Sequence, residues 1–155
     1  MLWITRHVVT KVFAKGRIHN LKDLGVHDVI LSTMTFEDGT IAVLRNSWGV
    51  PDTAGRPKAK VVYVRGSKGL AEVDGYEQGF AILTTDTVRN PNTWWLARVH
   101  GLHTGVYDTQ AKCFARAFAE GRDDMDAARH NLQAMKVQEA IQRSLDEDAE
   151  VEVSD

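Results

Sequence analysis

From Val29 to Trp48, apolar residues alternate with small polar ones on either side of Asp38-Gly39, a pattern that predicts two strands joined by a tight turn. A two-residue turn at Asp38-Gly39 sets the register: Phe36 pairs with Ile41, Met34 with Val43, Thr35 with Ala42, Thr33 with Leu44, Leu31 with Asn46 and Val29 with Trp48. One face of this hairpin then carries Ile30, Met34, Phe36, Ile41 and Val43, and suits packing under helices. The opposite face carries Val29, Leu31, Thr33, Thr35, Ala42, Leu44, Asn46 and Trp48. It is too apolar for a wholly solvated surface and too polar for a dry core, so it points to a partner.

The same alternation marks the remaining strands. Leu2, Trp3 and Ile4 read as the end of a helix that lacks its first turn. The β-branched run through Val8, Val9, Thr10 and Val12 predicts a strand over residues 7–15, ended by Gly16. A polar loop covers 17–27. Gly49, Pro51, Gly55 and Pro57 mark another loop before a strand over 58–65. Gly66-Ser67-Lys68-Gly69 turns that strand back into 70–74, and further strands are expected over 80–84 and 94–99, separated by a loop at 86–93.

After Gly105 the period lengthens to about 3.6 residues. Tyr107, Ala111, Phe114, Ala115 and Phe118 form one stripe, expected to face the sheet, with Gly121 placed just past the helix end. Asp123 or Asp124 then caps a last helix running to about 146, with Ala127, Leu132, Ala134, Met135, Ala140, Ile141 and Leu145 as its apolar stripe. Residues 146–155 read as an acidic tail in which the alternating 150–153 segment suits a short edge strand. These elements predict an α+β domain: an open, mostly antiparallel sheet of six or seven strands with two C-terminal helices packed on one face.

The 155 residues fit a single domain spanning 1–155, long enough to bury roughly 70% of the surface of the unfolded chain. A net charge of −2 gives no bias toward nucleic acid or an anionic membrane. Lys58, Lys60, Arg65 and Lys68 cluster around one hairpin, where they read as a solvated strand edge. The single cysteine, Cys113, excludes an internal disulfide and reads as a small buried residue of a helix. No stretch approaches the roughly 18 apolar residues of a membrane span, and Met1 to Arg6 lacks the order of a secretion signal. The expected setting is the cytoplasm.

The order of elements and several short motifs resemble the C-terminal domain of the Gfo/Idh/MocA oxidoreductases. The resembling residues are His27-Asp28, the run from Phe36 to Gly39, Asn46-Ser47-Trp48, the run from Val64 to Leu70, then 114–121, Asp126 to Arg129, and 140–153. The resemblance covers nearly the whole chain. It implies a two-domain enzyme in which an N-terminal Rossmann domain binds NAD(P), while this domain completes a site for sugar- or polyol-like substrates and pairs subunits through its open sheet face. The chain has no Gly-x-Gly-x-x-Gly and no Glu-Lys-Pro triplet, the source of the family's catalytic lysine. The family's Asp-x-x-x-His element falls just ahead of the first residue. No catalytic, cofactor-binding or metal residue is therefore assigned, and the chain alone is expected to be inactive as a dehydrogenase.

What remains are surface candidates. His100-Gly-Leu-His103 offers two imidazoles but no third ligand at a familiar metal spacing. With Asn46, Trp48 and Tyr107, His100 and His103 are instead candidates for a substrate pocket. The interface candidates are Val29, Leu31, Thr33, Ala42, Leu44, Trp48 and Trp95, since one of the adjacent pair Trp94-Trp95 must point away from the core of a strand. The expected partners are a second copy of the chain, as a homodimer or higher homo-oligomer, and a Rossmann domain in cis or in trans. The alternatives are a standalone, non-catalytic module that binds a small ligand or regulates, and one half of a split enzyme.

Overall fold

The computed structural model describes residues 2–49, 61–74, 82–86, 88–89, 97–122 and 125–153. In chain order the elements are α1 (Leu2–Thr5), β1 (Val9–Arg17), β2 (Val29–Phe36), β3 (Ile41–Ser47), β4 (Val61–Gly66), β5 (Gly69–Asp74) and β6 (Ile82–Leu83). They continue as β7 (Val88–Arg89), β8 (Ala97–Val99), β9 (Leu102–Thr104), α2 (Val106–Ala119), α3 (Met125–Glu147) and β10 (Val151–Glu152). The chain divides into two compact units, one of Met1–Gly49 with Asp124–Asp155 and one of Val50–Asp123. Every strand pair among the described residues is antiparallel, so the α+β class is observed.

In the first unit, four strands form one sheet in the order β10-β1-β2-β3. The alternating 150–153 segment supplies the edge strand β10, which pairs Val151 with Val12. Helix α3 packs along β1. Its buried positions Val137, Ala140 and Ser144 recur at helical spacing, and Val137 and Ala140 join Val9, Val12, Met34, Phe36, Ala42 and Val151 in the core. A bulge between Val9 and Lys11 lets Val9 and Val12, three residues apart, point to the same side. Leu132 and Met135, expected in the buried stripe, are exposed, while Val137, which the sequence reading passed over, sits in the core. Full burial of Phe36 contributes roughly 1.5–3 kcal/mol.

The hairpin register differs from the expected one by a residue. The structure pairs Thr35 with Ile41, Met34 with Ala42, Thr33 with Val43, Ser32 with Leu44, Leu31 with Arg45 and Ile30 with Asn46. The turn is a three-residue loop: the Gly39 amide donates to the Phe36 carbonyl at 2.9 Å, and the Phe36 amide donates to the Thr40 carbonyl at 2.9 Å. Gly39 takes a left-handed φ of 83°, the bulge that follows a type I turn in such loops. Because side chains alternate with period two, this single residue moves Ala42 into the core and turns Ile41 and Val43 out.

The second unit holds three two-stranded ladders, β4-β5, β6-β7 and β8-β9, together with α2. Ser67-Lys68 closes the β4-β5 hairpin between paired Gly66 and Gly69, as the sequence predicts. The expected sheet of six or seven strands is thus met, among the described residues, by one four-stranded sheet and three separate hairpins. Helix α2 ends at Gly121, whose φ of 62° and two closing bonds, Gly121 amide to Phe118 carbonyl and Arg122 amide to Ala117 carbonyl, form the expected glycine stop. Its aromatic stripe does not face inward: Tyr107, Phe114 and Phe118 are exposed, and Ala117 is the buried position. Cys113, expected to be buried, is exposed. Asp123 and Asp124, the expected caps of α3, lie outside the described residues.

Candidate functional site

The open side of the four-stranded sheet is built row by row from the register. Lys11, Thr35 and Ile41 form one row, Phe13, Thr33 and Val43 the next, and Lys15, Leu31 and Arg45 a third. Ile41 and Val43 are 72% and 65% exposed. Of the interface candidates, Val29, Leu31 and Thr33 lie on this side. Ala42 is 6% exposed and shares the helix-covered side with Leu44 and Asn46, so the one-residue register shift removes Ala42 and Leu44 from the open face. Ile41 and Val43 take their places. Trp95 lies outside the described residues.

The ammonium groups on the open face already have partners in the acidic C-terminal segment. Lys11 Nζ lies 3.5 Å from Glu150, and Lys15 pairs with Asp148. Lys15 Nζ also sits 5.7 Å from the Phe13 ring centroid.

Asp28 organises the end of the sheet where Trp48 lies. Its side chain is 2% exposed, and its Oδ2 accepts the amides of His19 (2.9 Å), Asn20 and Leu21 (3.2 Å). Burial raises its pKa, but the three amides more than offset this and hold the carboxyl below the ordinary aspartate range. The Asp28 amide donates to Arg17, and its carbonyl accepts the Trp48 amide at 2.8 Å. One residue therefore joins the end of β1, the 19–21 loop and the residue after β3. The sequence flagged His27-Asp28 only through the resemblance, although a lone aspartate between a polar loop and an apolar strand is a fair signal for a side chain that holds its own loop.

The remaining pocket candidates belong to the second unit. His100 and Gly101, at φ values of 50° and 81°, are the two central residues of a tight β8-β9 turn. His103 stands opposite Arg98 on β9, and Tyr107 lies in the first turn of α2. All three are exposed. Among the described residues no three His, Cys, Asp or Glu side chains gather as a metal-binding group, and no helix is long and apolar enough to cross a membrane. β9 passes into α2 through the single Gly105.

No family model matches the chain. An uncharacterized oxidoreductase of Bacillus subtilis (strain 168), YrbE, is 30% identical over 143 residues, which cover 88% of this chain and 40% of that protein. A probable dehydrogenase from Thermotoga maritima superposes with a TM-score of 0.71 at 20% identity, covering 98% of this chain and 46% of its own. GenD2 of gentamicin A biosynthesis, solved in complex with NAD, gives 0.73 at 22% identity, with 99% of this chain covered and 44% of that one. The scyllo-inositol dehydrogenase of Lactobacillus casei, solved with bound NAD(H) and scyllo-inositol, gives 0.66 at 17% identity, covering 99% and 45%. In fold, nearly the whole chain is similar to under half of each of these solved proteins, as the resemblance to the C-terminal domain of the Gfo/Idh/MocA oxidoreductases implies. The chain spans less than half the length of each of these relatives.

Proposed function

We propose that this chain is the oligomerisation and substrate-site domain of an NAD(P)-dependent Gfo/Idh/MocA-like oxidoreductase acting on sugar- or polyol-like substrates. The observation that carries this reading is the match of 98–99% of the chain to under half of dehydrogenases, two of them solved with NAD or NAD(H). The hydride chemistry belongs to a nucleotide-binding domain that joins this one in cis or in trans. The chain alone contributes surface, rigidity and half a pocket, and by itself turns over no polyol.

Self-association is the part of this reading that the chain can perform alone. Leu31, Ile41 and Val43 surround Thr33 on the open face, with Phe13 beside them, a mixed apolar and hydroxyl patch suited to a self-complementary two-fold contact. Two such patches would bring lysines together. Pairing of Lys11 with Glu150 and of Lys15 with Asp148 lowers that repulsion, which gives the acidic C-terminal segment a role in the interface.

Size-exclusion chromatography with light scattering over a concentration series tests the association, with a dimer or larger assembly expected and Val43→Glu giving monomers. A monomeric wild type at tens of micromolar overturns it. For the enzymatic half, mixing the chain with a nucleotide-binding domain of a relative and finding neither association nor NADH formation from inositols or sugars counts against the substrate-site role.

A further inference from the structure

The imidazole of His7 lies between two carboxylates of the loop that joins β2 to β3. Its Nδ1 is 3.1 Å from Glu37 Oε1, and its Nε2 is 3.5 Å from Asp38 Oδ2. The same Glu37 oxygen accepts the Val8 amide at 3.4 Å, while the Glu37 amide donates to the Val8 carbonyl at 3.0 Å. Glu37 thus grips two successive residues at the entry to β1. A neutral imidazole has one N–H and one lone pair, so it donates to one carboxylate and turns its lone pair to the other. Only the imidazolium donates toward both.

The backbone that these contacts hold is strained. Arg6, between α1 and β1, has a left-handed φ of 58°, which a residue with a long side chain keeps only where its surroundings impose it. The Arg6 amide donates to the Leu2 carbonyl at 2.8 Å, and the His7 amide donates to Thr5 Oγ1 at 3.3 Å. Leu2 packs against the core, and α1 lies against α3. Core packing therefore bounds the joint on one side and the His7 contacts bound it on the other. Glu37 and Asp38 are the charged side chains set against the ring in the observed contacts, with Arg6 its neighbour along the chain. The amide and hydroxyl of Thr40, and to a smaller extent the charge on His7, hold the Asp38 carboxyl below the ordinary aspartate range, so it stays an anion near neutral pH.

We infer that His7 is a proton-dependent latch: as the imidazolium it ties the α1–β1 joint to Glu37 and Asp38, and loss of the ring proton leaves one carboxylate without its donor and lets the strained Arg6 joint relax. The proton passes to solvent, which reaches the ring because its side chain is 42% exposed. The latch is closed on the acid side of histidine's charge change and open on the alkaline side. Its strength is that of an exposed ion pair, because solvent screens all three side chains. The latch stands independently of the enzymatic reading; under that reading it sets the joint to a nucleotide-binding domain attached ahead of α1.

Long-range nitrogen–proton spectra of the histidine rings in the full-length chain follow the His7 proton from about pH 5 to 8, with His7→Gln assigning its signals. Amide hydrogen exchange over the same range reads the joint. Protection factors, which remove the intrinsic pH dependence of exchange, are expected to fall about two- to fivefold at Arg6 and Val8 as the ring loses its proton, with Met34 in the core unchanged. His7→Gln and Glu37→Gln, both at exposed side chains, are each expected to show the lower protection at every pH. Constant protection at Arg6 and Val8 while the ring titrates overturns the inference. The same pH step in His7→Gln also overturns it, since the proton responsible then sits elsewhere. A ring that keeps one protonation state across the range, with protection unchanged, overturns it as well.

Discussion

The Phe36 amide donates to the Thr40 carbonyl at 2.9 Å, and this one bond decides which side of the sheet is free to meet a partner. It closes a loop of Glu37, Asp38 and Gly39, one residue longer than the turn that Asp-Gly alone suggests. Asp38 reinforces the longer loop by accepting both the amide (3.0 Å) and the hydroxyl (2.9 Å) of Thr40. The open face then carries Ile41, Val43 and Arg45 in place of Ala42, Leu44 and Asn46.

The two registers make opposite predictions for neighbouring residues. Ala42→Asp places a carboxylate at a position 6% exposed and is expected to cost several kcal/mol, enough to unfold a marginal domain. Val43→Asp, at 65% exposed, is expected to change stability by no more than about 0.5 kcal/mol while disrupting self-association. Urea denaturation of both variants decides it, and a reversed order would restore the two-residue turn.

Gly39 pays for the loop with its left-handed backbone, where a β-branched residue is strained. Gly39→Val is expected to lose about 1–3 kcal/mol, and Gly39→Asn clearly less, since asparagine tolerates that conformation. Equal losses in the two variants, measured by thermal or chemical unfolding, would mean that backbone strain is not what selects glycine here.

The contrast between strands and faces explains what the sequence made legible. β1, β2, β3 and the Ser67-Lys68 hairpin were readable because alternation and turn chemistry are local, as was the glycine stop at Gly121. Orientation was harder. The direction of the α2 stripe depends on what lies next to it, and Tyr107, Phe114 and Phe118 have the period of a buried face while being exposed. Ser144 was missed because the core stripe of α3 includes a polar position, which an apolar count skips, and Val137 because the apolar Leu132 and Met135, which turn outward, set the stripe in its place. For the candidate site, Trp48 and Asn46 were visible through the Asn-Ser-Trp motif, but Asn20 was not, because only the bonds to Asp28 bring its loop beside Gly49.

Asp28 also makes stability depend on acid. Its pKa in the folded chain is lowered, so the carboxylate's bonds stabilise the fold fully at pH values above that of a free aspartate, about 3.9. As the pH falls below that value the unfolded chain takes up the proton first, and the contribution is gone once the pH has passed the lowered folded value. Asp28→Asn is expected to be less stable at neutral pH and to lose less on further acidification. Parallel stability curves for the two proteins below about pH 3.9 would show that the three amides do not depend on the charge.

Ser144 stands in for a missing rung of the sheet. The register that pairs Val12 with Val151 would set Ala14 opposite Ala149, but the Ala14 amide donates to Ser144 Oγ at 2.9 Å and that hydroxyl donates to the Ala149 carbonyl. Ser144→Ala leaves a buried amide unpaired and is expected to cost about 1–3 kcal/mol. The same variant should speed hydrogen exchange at Ala14 more than at Val12. Unchanged exchange at Ala14 would mean that the edge closes directly without the hydroxyl.

At Gly16, β1 comes close to a side chain from the loop that follows it. A β-carbon there would lie 2.6 Å from His27 Cδ2, 2.9 Å from His27 Cγ and 3.0 Å from Leu145 Cδ2, so the imidazole ring must move before any larger residue fits. Gly16→Ala is expected to cost about 1–3 kcal/mol by overpacking. His27→Ala removes the nearest atoms, and the double variant should recover part of the loss, a coupling of about 0.5–3 kcal/mol in a double-mutant cycle. Recovery will be incomplete because Leu145 from α3 still borders the space. Strict additivity of the two substitutions would mean that the ring yields freely, and that the close approach of His27 to the strand adds nothing to the rigidity of the loop leading into Asp28.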